Sequence, residues 1–181
     1  MRRKFLLGMT FLFFCFLVTS LDAAENSKQE TASITLASWI RSLKDRNPLI
    51  RGQAADAISK MGADASPAVP TLIGLLRDRD KSVRYQAAAA LASIGPASQP
   101  AVPTLIRLLK DPDPALRQAA VWVLSRIGPG AKEAVFPLIQ ALRDRDDLVR
   151  VRAYGALEAI GTPEASEAAK KFWEKQIKRS Q

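Results

Sequence analysis

The sequence predicts an all-α protein, an α-solenoid of about four helical hairpins closed by a C-terminal capping helix. The stretch VPTLIGLLRDRDKSVRYQAAAALASIGPASQPA from Val69 recurs as VPTLIRLLKDPDPALRQAAVWVLSRIGPGAKEA from Val102 and as VFPLIQALRDRDDLVRVRAYGALEAIGTPEASEA from Val135. Moving 33 residues toward the N-terminus from Asp78, Arg84 and Gly95 reaches Asp45, Arg51 and Gly62, so a fourth, more diverged copy begins near Leu36. A period between about 20 and 50 residues, with two apolar stretches per unit, marks a solenoid whose units bury their faces only against neighbours.

Residues 1–20 read as a signal peptide or N-terminal membrane segment. Met1-Arg2-Arg3-Lys4 is a basic start, FLLGMTFLFFCFLV an apolar run, and Thr19 and Ser20 supply small residues. Val18 and Ser20 fit cleavage after Ser20, whereas cleavage after Ala24 would set Asp22 where a small neutral residue belongs. Arg2-Arg3-Lys4-Phe5-Leu6 also resembles a twin-arginine export signal, and Phe5 to Val18, extended by Leu21 and Ala23, leaves an uncleaved anchor open although it falls short of the roughly 20 residues that span a bilayer. Cys15 follows Phe13 and Phe14, where a lipobox would have small residues. The expected location is periplasmic or extracellular, or else the inner membrane through the uncleaved segment. Residues 21–35 are a flexible spacer, in which Glu25 to Thr31 are polar and aperiodic.

Residues 36–163 form the solenoid. In the second unit Val69, Leu72, Ile73 and Leu76 recur at helical spacing, and after a break at Arg77 to Asp80 so do Val83, Ala87, Leu91 and Ile94. Asn47, Asp80, Asp113 and Asp146 stand where a side-chain oxygen caps the second helix, with Pro48 and Pro114 at its first position. Gly62, Gly95, Gly128 and Gly161 end these helices with the positive φ of a C-cap, and Pro96, Pro129 and Pro163 are expected to prevent continuation. Trp39 takes the position of Leu72 and is expected in the core. Residues 164–181 form the capping helix and tail, with Phe172 at the position of Ile139 and Lys170, Lys171, Glu174, Lys175 and Lys178 making its other faces polar.

The run D-x-D-x-x-V-R-x-x-A-A-x-x-L-x-x-I-G, from Asp78 to Gly95, resembles the HEAT-repeat family of armadillo-like solenoids, in particular the short bacterial subtype of phycobilisome lyases. The likeness covers all four units. It implies that Asp45, Asp78, Asp111 and Asp144 pair with Arg51, Arg84, Arg117 and Arg150 in a ladder from the loop of one unit to the helix of the next. Repetition in every unit assigns these eight residues to structure rather than chemistry.

The chain has 181 residues, no histidine, one cysteine and a net charge of +9. Removing Arg2, Arg3 and Lys4 from the 27 basic residues leaves 24 against 18 acidic, a net +6. His/Cys metal sites, Ser-His triads and Cys-His dyads are excluded, no glycine-rich phosphate cradle is present, and no cofactor or metal is expected. The His-Glu iron sites of deoxyhypusine hydroxylases, also HEAT-like, have no counterpart here. Bilin lyases and HEAT-like DNA glycosylases act inside cells, in conflict with an export signal. Interspersed charge of modest excess favours acidic surfaces, and no nucleic acid is expected.

Specificity must lie where units differ. At about 100° per residue, the positions of Tyr85, Ala89 and Ser93 face away from the core side of the second helices. In HEAT solenoids, by resemblance, that face lines the concave surface. Its rows are Gly52, Tyr85, Gln118 and Val151; Asp56, Ala89, Trp122 and Gly155; Lys60, Ser93, Arg126 and Ala159. Trp122 is thus an outward aromatic with Tyr85 nearby and Arg126 and Arg152 at its rim, and with Lys60 these are the candidate partner-binding residues. Alternatively Trp122 lies flat over Gly155 and Ala89 as packing. Trp173 is assigned no role. The expected function is a non-catalytic protein-binding module, an exported adaptor or scaffold taking a protein or an acidic or aromatic peptide on its concave face. A structural or oligomerising envelope component and an accessory lyase are the alternatives. Membrane contact is expected only through the N-terminal segment if it stays uncleaved.

Overall fold

The computed structural model describes residues 36–180, so the expected signal segment and spacer, residues 1–20 and 21–35, lie outside the described residues. The chain divides into two units, Met1–Ser38 and Trp39–Gln181, and the second holds nearly all of the repeats. Among the described residues there is no strand. Helix α1, described from residue 36, ends at residue 42. It is followed by α2 (Pro48–Met61), α3 (Val69–Leu75), α4 (Lys81–Ile94), α5 (Val102–Leu108), α6 (Pro114–Ile127), α7 (Val135–Ala141), α8 (Asp147–Ile160) and α9 (Pro163–Ser180).

The four long helices α2, α4, α6 and α8 each have 14 residues and pack successively on one another. Their touching faces are small: Ala54, Ala55, Ala87, Ala88, Ala120, Ala153 and Ala156 are fully buried. Alanine here costs no rotamer entropy and lets backbones approach closely. The short helices α3, α5 and α7 contribute Leu72, Leu105 and Leu138, and the long ones Ile58, Leu91, Leu124 and Leu157, all at zero exposure. Trp39 is the exception to the expected core, since it is only partly buried. The indole is larger than the leucine it replaces, and part of it stays at the surface.

The hairpins differ from expectation in their second connection. After each of Gly62, Gly95 and Gly128 the chain runs straight into 3-10 turns, Gly62–Ala68, Gly95–Ala101 and Gly128–Ala134, the last kinked at Ala131, and from there into the next short helix. Pro96 and Pro129 therefore open a 3-10 turn rather than forbid helix, because proline's fixed φ suits a first turn that needs no N–H. Pro163 likewise opens α9, with the Thr162 hydroxyl capping it by accepting from Ala165 N at 3.2 Å. The glycines take φ of +59° to +70°. Only Gly161 is left-handed helical; the other three have ψ near −131° to −135°, a region open essentially to glycine alone.

Each loop between a short and a long helix is held by two acceptors. The second, Asn47, Asp80, Asp113 or Asp146, caps the long helix, accepting from Leu49 N at 3.0 Å, Ser82 N at 2.8 Å, Ala115 N at 2.9 Å and Val149 N at 3.0 Å. The first, Asp45, Asp78, Asp111 or Asp144, accepts the backbone N–H two residues on at 2.8–2.9 Å and closes the turn. Each long-helix arginine sends Nη1 back to the carbonyl of its own unit's first aspartate: Arg51 to Asp45, Arg84 to Asp78, Arg117 to Asp111 and Arg150 to Asp144, at 2.8–2.9 Å.

The ladder runs opposite to the expected sense, and it is incomplete. Arg51 grips Asp78 of the following unit bidentately at 2.8 and 2.7 Å, and Arg117 grips Asp144 at 2.8 Å through both nitrogens. Arg84 does not reach Asp111: its Nη2 lies 3.8 Å from Asp113 and its buried Nε has no partner. Arg150 turns to Asp147 on its own helix. The arginine must lie on the earlier unit because its Nη1 is already bound to that unit's loop, which aims the fork forward.

The Asp78 carboxyl is held below the usual carboxylate range, chiefly by the hydrogen bond from Arg51. Burial pushes Asp144 up, but the Arg117 hydrogen bond and the Asp146 N–H outweigh it and the net shift is also down. Depressed carboxyls stabilise the fold above their unfolded pKa, and this is lost as pH falls through the folded value. Thermal stability should therefore decline as pH drops below about 4, with a shallower acid limb for Asp144→Asn, measured by circular dichroism. At neutral pH Asp144→Asn should lower Tm more than Asp111→Asn, which breaks no bidentate pair. Leu124→Ala should cost about 3 kcal/mol in urea unfolding, as for other buried leucines.

Candidate functional site

The outward faces of α4, α6 and α8 form a groove of about 550 Å³. Tyr85, Gln118, Trp122, Arg126, Arg152 and Gly155 line it. Four of the five expected partner-binding residues thus come together. Lys60 does not: it stands on α2 and pairs with Asp56 at 2.7 Å, both well exposed. Gly52 also leaves its expected row. It is buried, because the Gln86 amide lies where a Cβ would stand.

Trp122 is half-buried and settles between the two expected arrangements. It does not lie flat over Gly155, since no atom beyond the glycine's own helix backbone and chain neighbours comes within 4 Å of a Cβ built there. Instead the indole stacks on Tyr85 of the preceding unit, centroids 6.3 Å apart and planes 23° from parallel. This leaves an open slot between Trp122 and α8, floored by the small residues Gly155 and Ala159. Tyr85 itself is 64% exposed. Beside the slot, Leu148 and Val151 are exposed aliphatics on the same face of α8.

The charge around the slot is positive. Arg126 is exposed and spans the seam between units, its Nε donating to the Ala92 carbonyl at 3.4 Å, a long bond that leaves the guanidinium available. Arg152 makes no hydrogen bond or ion pair to a described residue. Gln118 is fixed, its amide donating to Asp146 Oδ1 at 2.9 Å, and Asp146 is held below the usual carboxylate range, first by the Val149 N–H. The groove is lined by two cations, two rings and no carboxylate. Its chemistry is that of contact: an aromatic stack, an apolar slot and cationic donors.

Sequence reasoning overlooked Tyr154. Its ring lies 5.7 Å from that of Trp173 and 6.3 Å from that of Phe172, tying α9 to α8. The signal was available as an aromatic where other units carry Ala88 or Val121, but it is read only once α9 is known to pack there.

In the two-tryptophan-less background W39F/W173F, emission reports Trp122 alone. Tyr85→Ala should shift it to the red and raise its quenching by acrylamide, as the stacked face opens to water.

Comparison with solved structures returns repeat proteins. An engineered protein shares 25% identity at a TM-score of 0.62, covering 76% of this chain and 67% of that one. A designed armadillo repeat protein in complex with the peptide (KR)4 has 21% identity and a TM-score of 0.64, with 82% and 74% covered. The complex of CpcE and CpcF of phycocyanin lyase from Nostoc sp. PCC7120 has 20% identity and a TM-score of 0.59, with 80% and 89% covered. No curated protein matches the sequence. The profile of the family described as HEAT repeats matches three times, over residues 36–102, 69–135 and 102–178. With its period, its paired helices and these three overlapping matches, the chain belongs to the HEAT-repeat family.

Proposed function

We propose that the protein is a non-catalytic, exported adaptor that binds an acidic, aromatic-containing peptide segment of another protein on its concave face. The observation that supports this most is the open slot over Gly155, bounded by the Tyr85–Trp122 stack and by two arginines that no described carboxylate pairs with. An aromatic or aliphatic side chain fits the slot, and carboxylates on either side of it meet Arg126 and Arg152. Tryptophan, tyrosine and arginine dominate interface hot spots because they combine large apolar area with directed polar groups. One designed neighbour binds a peptide of alternating lysine and arginine; the cations here favour the opposite charge. Export rests on the basic start and apolar run of residues 1–18. The lack of histidine removes the common routes to hydrolytic and metal chemistry.

Fluorescence anisotropy against short peptides tests the binding reading. Acidic peptides containing Phe or Tyr should bind, the (KR)4 peptide should not, and raised salt should weaken the complex. Trp122→Ala combined with Arg126→Ala should abolish binding, and Gly155→Leu should do the same by filling the slot. Unchanged recovery of every envelope partner by the double variant would sink the proposal. For export, the mass of the protein isolated from its host should match a chain that starts at Leu21, and a cytoplasmic chain retaining Met1 would overturn it. The 54% exposed Trp173 favours a second reading, attachment of a further component at the closing helix. A strict monomer by light scattering after size exclusion argues against self-association there.

A further inference from the structure

The repeat supplies its own template for a second binding site. In two earlier units the long-helix arginine has its Nη1 on its own loop and its Nε and Nη2 on the next unit's first aspartate, as in Arg51 with Asp78 and Arg117 with Asp144. Arg150 keeps the first half of this arrangement, holding the carbonyls of Asp144 and Arg145 at 2.8 and 3.3 Å. Among the described residues no fifth loop follows α8; the chain enters α9 instead. Position 177, where the next first aspartate would fall one period after Asp144, is an isoleucine within the helical span of α9. The forward fork of Arg150 therefore has no carboxylate from a following unit. Its Nε makes no hydrogen bond to a described residue, and its Nη2 folds back on Asp147, a side chain that is 83% exposed.

The space ahead of Arg150 is open. A groove of about 830 Å³ runs between α9 and the α7–α8 pair. Ile139, Leu142 and Phe172 give it an apolar wall, and Arg143, Lys171 and Lys175 add cations. Of its three carboxylates, Asp144 is held by Arg117 and Glu167 by Lys171, while Glu164 at the start of α9 makes no ion pair to a described residue, so Arg143, Arg150 and Lys175 carry the net positive charge of the groove. We propose that this groove is a docking site for an acidic turn of a partner protein, in which an Asp carboxylate takes both forward nitrogens of Arg150 and a neighbouring aliphatic side chain lies on Phe172 and Ile139. The occupant's chemistry follows from the template: in the fourth unit the aspartate on Arg117 is preceded by Leu142, which is buried as the aspartate is gripped. The exposed Asp147 competes only weakly, because a solvent-facing pair within one helix turn contributes little. A bidentate arginine–carboxylate contact in a partly enclosed groove is stronger and directional.

The test uses the purified chain and a fluorescein-labelled peptide of sequence ALRDRDDLV, which copies residues 141–149. Anisotropy should show saturable binding. Replacing the peptide's first Asp by Asn, or making Arg150→Lys, should weaken it at least about tenfold, since a lysine keeps the charge but loses the fork. Asp147→Asn should tighten it about two- to fivefold by removing the competitor. Trp122→Ala with Arg126→Ala should leave it unchanged, which separates this site from the concave groove. Arg150→Lys and Asp147→Asn both keep the fold testable where Arg150→Ala loosens its loop. Equal binding by Arg150→Lys, or a loss on Asp147→Asn, overturns the proposal. So does sedimentation showing that the chain self-associates through Arg150, which would put a second copy in the groove.

Discussion

The stacking of four equal helices through alanine-lined faces is the contact on which the rest of this molecule depends. Small side chains bring α2, α4, α6 and α8 close enough that each buries most of one face in its neighbour. Once they are in register, every feature repeated in sequence is repeated in space at a constant step. The caps, the glycine bends and the forward-pointing arginines then meet partners one unit away. A shift of one helix by a single turn would leave those charges buried and unpaired, which is far more costly than the pairs are stabilising.

That regularity makes the irregular places informative. The rung between the second and third units is broken, with Arg84 Nε buried and unpartnered, and the outward side of that same seam carries the Tyr85–Trp122 stack and the bond from Arg126 to Ala92. Where the bidentate pair is replaced by a long Arg84–Asp113 contact, aromatic stacking and a long hydrogen bond also bridge the units. The candidate groove lies alongside this seam, so its shape depends on the contacts that replace the rung. At the far end the ladder stops at Arg150, and α9 closes the core with Ala165 and Ala169 while Tyr154 holds Phe172 and Trp173.

Both grooves share a logic. Each sets cationic side chains beside apolar ones, but Trp122 stands where other units carry Asp56, Ala89 and Gly155, whereas Ile139 and Leu142 repeat the Ile106 and Leu109 of the preceding unit. The groove beside Trp122 has the more distinctive surface because Trp122 and Gly155 occur once each in a row otherwise held by Asp56 and Ala89. The groove beside α9 owes its character to the end of the repeat rather than to any unusual residue.

The period, the helix pairs, the caps at Asn47, Asp80, Asp113 and Asp146 and the glycine stops were legible in the sequence, because each is a local matter of propensity, hydrogen-bonding side chains and φ that recurs with the repeat. The clustering of Tyr85, Trp122, Arg126 and Arg152 was also legible, since helical angle and repeat register suffice to place residues on one face. What only the tertiary structure decided was the direction in which contacts form across units: that arginines reach forward, that Gly52 is covered by Gln86, that Trp122 leans on Tyr85 and leaves Gly155 open, and that Arg150 turns to Asp147 at the edge of the groove beside α9. Periodicity says which residues are equivalent. Which neighbour a side chain turns toward depends on the backbone spacing and on what already occupies the far side, and that is settled only when the units are stacked.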